Sequence, residues 1–187
     1  MTAPHVRAVI LAAGSSRRMG AQKLSMLFRG RPLLEYAVAS AQRWDPLLVA
    51  GPEIFGAFAG RVDVTLVLNS QPQRGMTHSL ALADAAIHPG DAIVVLLGDK
   101  PLVTEQLIAR LCAARADADV AYPVRAGDGV PGHPVFFSPA ARRRIGDLPL
   151  GDTLHLLRDD PAMARLPVPT LDEGAFFDVD TPGELGR

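Results

Sequence analysis

The sequence is poor in cysteine: Cys112 is the only one in 187 residues, so this chain alone can form neither an internal disulfide nor a cluster of thiolate ligands. Cys112 falls among Leu107, Ile108 and Leu111 in a helical pattern, which suits a core thiol better than a nucleophile. No uninterrupted apolar run reaches the roughly 20 residues that a membrane span requires. The N-terminus lacks the apolar core of a signal peptide. A cytoplasmic protein with no membrane partner is therefore expected. Neither sign of charge is in excess: the formal net charge is −1, and no basic face is evident. That argues against a nucleic acid partner and makes any anion site local. His5, His78, His88 and His155 show no metal-ligand spacing, so no zinc site is expected.

Glycine and proline, by contrast, are plentiful, with 17 and 16 residues, well above the roughly 12% of average usage. The chain spends much of itself on turns, as a site built from loops would require. The length suits one domain, 1–187, with a sizeable core.

Apolar runs at Val6 to Leu11, Leu47 to Ala50, Asp63 to Leu68, Ala92 to Leu97, Ala118 to Val124 and Val135 to Phe137 read as strands. Helical spacing falls between them, starting near Pro32, around Ile54 to Ala59, after Gly75, after Pro101, over Ala140 to Ile145 and over Asp152 to Arg158. Phe176 to Asp180 has strand character. Alternating strand and helix predict an α/β fold: a mostly parallel central sheet covered by helices on both faces, in one Rossmann-like three-layer domain.

Four short stretches carry polar chemistry. The first is LAAGSSRRMGAQK, Leu11 to Lys23, where two glycines, two serines and three cations follow a buried strand. Such a loop lets backbone N–H groups approach a polyanion closely. It is not a P-loop, because Gly14 and Gly20 are separated by five residues and Lys23 precedes Leu24. It is not a dinucleotide fingerprint, because the third glycine of GxGxxG is missing, which disfavours a Rossmann-type oxidoreductase.

The second stretch, Gly75 to Ser79, lies near a helix N-terminus, where unpaired N–H groups favour an anion or a base edge; a plain helix cap fits equally. The third is Gly98-Asp99-Lys100-Pro101, at the end of the most apolar strand. Asp99 there either holds Mg²⁺ shared with substrate phosphates or caps a turn. The fourth is Asp178-Val179-Asp180-Thr181-Pro182, where Asp180 and Thr181 fit an N-cap. Gly132-His133-Pro134 is either a turn or a hydrogen-bonding histidine. The run Arg142, Arg143 and Arg144 is expected to form a solvated face, since consecutive helical positions fan out around the axis.

Together these motifs resemble the nucleotidyltransferases of the MobA-like family, most of all the branch of molybdenum cofactor cytidylyltransferases, from Val6 to about Leu185. The resemblance implies a nucleotide-diphospho-sugar transferase-like fold. It also implies transfer of CMP from CTP to the terminal phosphate of molybdopterin or the molybdenum cofactor, with release of pyrophosphate. Arg18, Lys23, Asp99 and Asp180 are the implied catalytic residues, and Asp99 and Asp180 the implied Mg²⁺ ligands. Leu11, Ala12, Ala13, Gly14, Ser15, Arg18, Lys23, Gly75, Met76 and Ser79 would hold the nucleotide, and His133 the acceptor. A molybdenum hydroxylase apoenzyme is the implied downstream partner. Ala13, where a guanylyl branch more often has glycine, favours CTP. Lys100 departs from the glutamine usual in the cytidylyl branch and is expected to be able to pair with Asp99. A guanylyl or sugar-phosphate nucleotidyltransferase, or a non-catalytic cofactor carrier, are the competing expectations.

Overall fold

The computed structural model describes residues 4–14, 22–113, 118–151 and 154–185. Its first strand, β1 (Val6–Ala12), is followed by a 3-10 turn at Lys23–Ser25, the short pair β2 (Leu27–Phe28) and β3 (Arg31–Pro32), and α1 (Leu33–Ala41). Next come β4 (Leu47–Ala50), α2 (Pro52–Phe58), β5 (Thr65–Leu68), α3 (Met76–Ala85), β6 (Ala92–Leu97) and α4 (Glu105–Ala113). The last third holds β7 (Val120–Arg125), β8 (Val135–Phe137), α5 (Pro139–Arg142), α6 (Leu154–Arg158) and β9 (Arg165–Thr170).

Seven strands form one sheet in the order β5-β4-β1-β6-β8-β7-β9. β5, β4, β1 and β6 are mutually parallel, and β7 runs parallel to β9. Only β8 is reversed, antiparallel to both β6 and β7. Alternation along each strand feeds two separate cores. Ala8 and Ile10 of β1, Val94 and Leu96 of β6 and Phe136 of β8 face α1, α2 and α4. Val9 and Leu11, Ile93 and Val95, and Phe137 face α3, α5 and α6. Burying one such side chain is worth roughly 1.5–3 kcal/mol, and β6 is buried on both faces, so it is the strand the layers are built around. This is the expected three-layer α/β arrangement. No helix among the described residues is long and apolar enough to cross a membrane.

Three expectations are corrected. Phe176 to Asp180 is not a strand. The edge position belongs instead to β9, whose Pro167 and Pro169 had hidden it, because proline is excluded from central strands and tolerated at an edge. The segment after β9 makes a 3-10 turn at Glu173–Ala175, with Asp172 accepting the Gly174 N–H, and then runs as a strap over the sheet's carboxyl edge. Gly174 permits this course, since a Cβ there would collide with the Leu102 carbonyl.

Arg142, expected in a solvated run, is buried, whereas Arg143 and Arg144 are exposed. Its Nε donates to Asp84 at 2.8 Å, and Nη1 donates to the carbonyls of His88 at 2.9 Å and Asp91 at 2.7 Å. It thereby holds carbonyls of the loop between α3 and β6, and its Nη2 also donates to the Asp84 carbonyl in the last turn of α3 at 3.3 Å, one of the groups a helix leaves unpaired. Pro32, expected inside the first helix, instead precedes α1 as its N-cap residue.

Candidate active site

Because β1, β4, β5 and β6 are parallel, the loops after them open on one edge of the sheet, and the start of β8 and the ends of β7 and β9 reach the same edge. Ligands of open α/β sheets bind at such an edge. β1 ends in Leu11 and Ala12, and Ala13 follows; all three side chains are buried, so only their backbone groups can serve a ligand. Gly14 is exposed, and a Cβ there would meet nothing within 4 Å. Ser15 and Arg18 lie outside the described residues.

Lys23 is placed by its own turn. Leu24 is buried in the core, and the 3-10 turn aims the lysine across the edge. Its Nζ donates to Asp99 Oδ2 at 2.9 Å, Asp180 Oδ1 at 2.9 Å and the Val179 carbonyl at 2.8 Å. Three distant motifs therefore meet on one nitrogen. Two backbone bonds fix the arrangement: Gly98 N–H donates to the Leu11 carbonyl at 3.0 Å, and Val179 N–H to the Asp99 carbonyl at 3.1 Å. Glu184 closes the far side, accepting from the backbone N–H of Asp180 and of Thr181, both at 2.8 Å, in the manner of a capping box. Those backbone bonds hold the Glu184 carboxyl below its usual range.

Burial alone would lower the Lys23 ammonium, but the charge and hydrogen bond of Asp99, with those of Asp180, outweigh it and hold Lys23 above the ordinary lysine value. The ammonium thus stays charged between two carboxylates. Lys100 does not take this place. It is buried, and no ion pair joins it to Asp99. The expected competition for Asp99 comes from Lys23 instead.

The loop after β5 reaches the same edge. Gly75 has φ +88°, a left-handed conformation that glycine adopts without strain, and it lies so close to Gly151 that a Cβ would be 2.5 Å from the Gly151 Cα. The Gly151 carbonyl accepts from both the N–H and the hydroxyl of Thr77 at 2.9 Å, capping the start of α3. Met76 is half-buried here. Ser79, expected at the nucleotide, is turned inward: its hydroxyl accepts from Asn69 Nδ2 at 2.9 Å, and Asn69 Oδ1 accepts the Gln71 N–H at 2.8 Å. It orders the loop rather than facing the cleft.

His133 precedes β8, which lies on the other side of β6 from β1. Its backbone N–H donates to the Ala175 carbonyl at 3.0 Å, and its Nδ1 is buried without a partner among the described residues. Burial first, then the charges of Lys100 and Arg158, push its imidazole down to about 4, so it is neutral near pH 7.

The sequence matches the MobA-like NTP transferase domain over residues 8–162. The chain belongs to that family of nucleotidyltransferases. It is 30% identical to the purine catabolism protein PucB of Bacillus subtilis, with 98% of this chain and 96% of that protein covered. To the nicotine blue oxidoreductase of Paenarthrobacter nicotinovorans it is 28% identical over the same shares. Among solved structures, Rv0371c of Mycobacterium tuberculosis superimposes with a TM-score of 0.81 at 28% identity, covering 98% of this chain and 96% of that one. A structure of Rv0371c in complex with manganese gives a TM-score of 0.71 at 25% identity, covering 90% and 89%. Asp180 and the strap that carries it lie beyond the stretch matched by the family.

Proposed function

We propose that the protein transfers CMP from CTP to the terminal phosphate of molybdopterin or the molybdenum cofactor and releases pyrophosphate. The observation that carries this reading is the meeting of Lys23, Asp99 and Asp180, drawn from the first loop, the end of the central strand and the strap.

Both reactants are anions, and the protein's task is to neutralise and align them. An acceptor phosphate oxygen attacks the α-phosphorus, the bond to the β-phosphate breaks, and pyrophosphate departs. Lys23 exchanges its carboxylate partners for phosphate oxygens when the nucleotide enters, and it stabilises the charge that develops on the α-phosphate. Arg18 pairs with the departing pyrophosphate. Asp99 and Asp180 are hard oxygen donors that already close on one cation, and among the described residues no group of three or more acidic, histidine or cysteine side chains could hold a metal. Two carboxylates suit Mg²⁺, which commonly takes one or two protein oxygens and fills its shell with phosphates and water. Held there, Mg²⁺ would offset the mutual repulsion of the phosphates. His133 stands on the acceptor side. CTP is favoured because the methyl of Ala13 replaces the hydrogen that the guanylyl branch more often carries. A molybdenum hydroxylase apoenzyme would receive the product, and a cytoplasmic location fits that role.

The test compares α-labelled CTP, GTP, ATP and UTP with Mg²⁺ and molybdopterin, scoring label transfer and pyrophosphate release. Transfer from CTP is expected. Transfer from GTP alone would reassign the base, and transfer from none would remove the reading. The relative named nicotine blue oxidoreductase adds one arm: the missing third glycine predicts no NAD(P)H binding, and tight binding would favour an oxidoreductase instead.

A further inference from the structure

The Lys23 ammonium stands among three oxygens: Asp99 Oδ2 at 2.9 Å, Asp180 Oδ1 at 2.9 Å and the Val179 carbonyl at 2.8 Å. Two are anionic, one is neutral, and they come from two segments distant in sequence. Oxygens of this kind are what hard divalent cations take from proteins, with water and substrate phosphates completing the shell. Here a cation of the chain's own holds that place. Exposure differs across the cluster: the Lys23 side chain is 13% exposed, that of Asp99 25% and that of Asp180 50%. The carboxylates can be approached from solvent while the ammonium is covered.

The oxygens do not depend on Lys23 for their positions. The Val179 N–H donates to the Asp99 carbonyl at 3.1 Å, which joins the two segments through backbone alone. Glu184 accepts from the N–H groups of Asp180 and Thr181 and from the Thr181 hydroxyl at 3.0 Å, and so fixes the turn that carries Asp180. Further back along the strap, the Ala175 carbonyl accepts the His133 N–H. With the lysine removed, these bonds still hold the two carboxylates together. What the pair would lose is its opposite charge, and carboxylates held close to each other need one. Two cations on the same pair of oxygens repel each other, so an ammonium and a metal ion exclude one another there.

We propose that Lys23 is a built-in stand-in for the divalent cation: its ammonium holds Asp99, Asp180 and the Val179 carbonyl until a metal ion displaces it, and it turns to the nucleotide phosphates only then. The purpose of the exchange rests on the transferase reading, while the competition between lysine and metal does not. The consequence is an order of events. A triphosphate without metal would have to draw Lys23 off two carboxylates and then face them uncompensated, so the site accepts the metal-bound nucleotide and resists the bare one. The Val179 carbonyl enters as a third oxygen ligand, a group that no side-chain motif reveals.

The experiment titrates Mn²⁺ into the nucleotide-free protein, followed by the loss of the paramagnetic resonance signal of the aqueous ion. The variants are K23M, K23Q, K23R and the double variant K23M/D180N; K23Q, which can still donate to the Val179 carbonyl, serves if K23M does not fold. K23M and K23Q should bind Mn²⁺ about tenfold or more tightly than the unmodified protein, because no charged hydrogen bond has to be broken first. K23R keeps the charge and should keep the unmodified affinity. Adding D180N to K23M should abolish the gain. Mn²⁺ should also raise the melting temperature of K23M more than that of the unmodified protein. A lysine that merely fastens the strap predicts the reverse: weaker Mn²⁺ binding in K23M and a fall in melting temperature that Mn²⁺ does not recover. That result, equal affinity in K23M and the unmodified protein, no Mn²⁺ binding by either, or a gain that survives D180N would each overturn the proposal. If no nucleotide is turned over but K23M gains Mn²⁺ affinity, the transferase reading fails and the exchange stands. If transfer proceeds without that gain, the exchange alone fails.

Discussion

The two halves of the sheet are built differently. From β5 to β6 the strands are all parallel, β1, β4 and β6 are almost wholly buried, and the polar groups at their carboxyl ends are hydrogen-bonded to one another. From β8 to β9 the order is mixed, β8 has three residues, prolines interrupt β7 and β9, and the two buried side-chain nitrogens that lack a partner among the described residues are found there. The second half is held to the first by ties, namely Lys23 to Asp180, Arg142 to the end of α3, and the strap to Asp99. On the reaction proposed above, the first half would form a floor for the nucleotide and the second a wall for the acceptor.

The largest effect should come at the seam. Asp99→Asn is expected to lower transfer about a thousandfold, measured as pyrophosphate release, while the melting temperature changes little because Lys23 keeps its second carboxylate partner, Asp180. Unchanged turnover would remove Asp99 from the machinery. Cutting a tie remote from the cleft should act on stability alone. Arg142→Leu leaves Asp84 and several carbonyls unpaired and should cost about 3 kcal/mol, the lower end for a broken buried pair because Asp84 is partly exposed. That corresponds to a fall in melting temperature of roughly 6–12 °C, with KM for the nucleotide unchanged at lower temperature. A fall of only a degree or two would mean that solvent replaces Arg142 at these carbonyls.

The acceptor wall should show its own pH dependence. His133 has a folded-state value of about 4 against 6.5. Above pH 6.5 neither state is protonated and nothing is lost. As pH falls from 6.5 towards 4, the unfolded chain takes up a proton that the folded one refuses, so stability drops by up to about 3 kcal/mol. Denaturant midpoints across that window should decline less in His133→Gln, and identical slopes would place the imidazole in contact with solvent. The smallest expected effect is Ser79→Ala, about 1 kcal/mol for the lost hydrogen bond to Asn69. It should loosen the loop at Gln71 and raise KM for the nucleotide modestly without changing kcat. An equal fall in kcat would bring Ser79 back to the reacting groups.

Much of the sheet was legible from residues alone. Leu47 to Ala50, Ala92 to Leu97 and Val135 to Phe137 are strands with the predicted bounds, because apolar runs between turn residues leave few alternatives. The resemblance named Lys23, Asp99 and Asp180, and the fold brings them together. What was not legible depends on tertiary placement. Arg142, Arg143 and Arg144 are identical as letters, and only the position of Asp84 on α3 and of the carbonyls that follow it decides that the first is buried. Pro167 and Pro169 argue against a strand until an edge is known to lie there. Lys100 adjoins Asp99 in sequence, yet the ammonium that pairs with that carboxylate comes from Lys23, 76 residues away.

Pro167 and Pro169 have one more consequence. They share a parity along β9, and neither has an N–H to offer; Arg110 donates to the Pro169 carbonyl at 3.0 Å. A foreign strand approaching that border finds donors missing and an acceptor already taken, so the sheet cannot be extended there by a neighbouring molecule. The region left most open to ligands is thereby shielded from aggregation along its own rim.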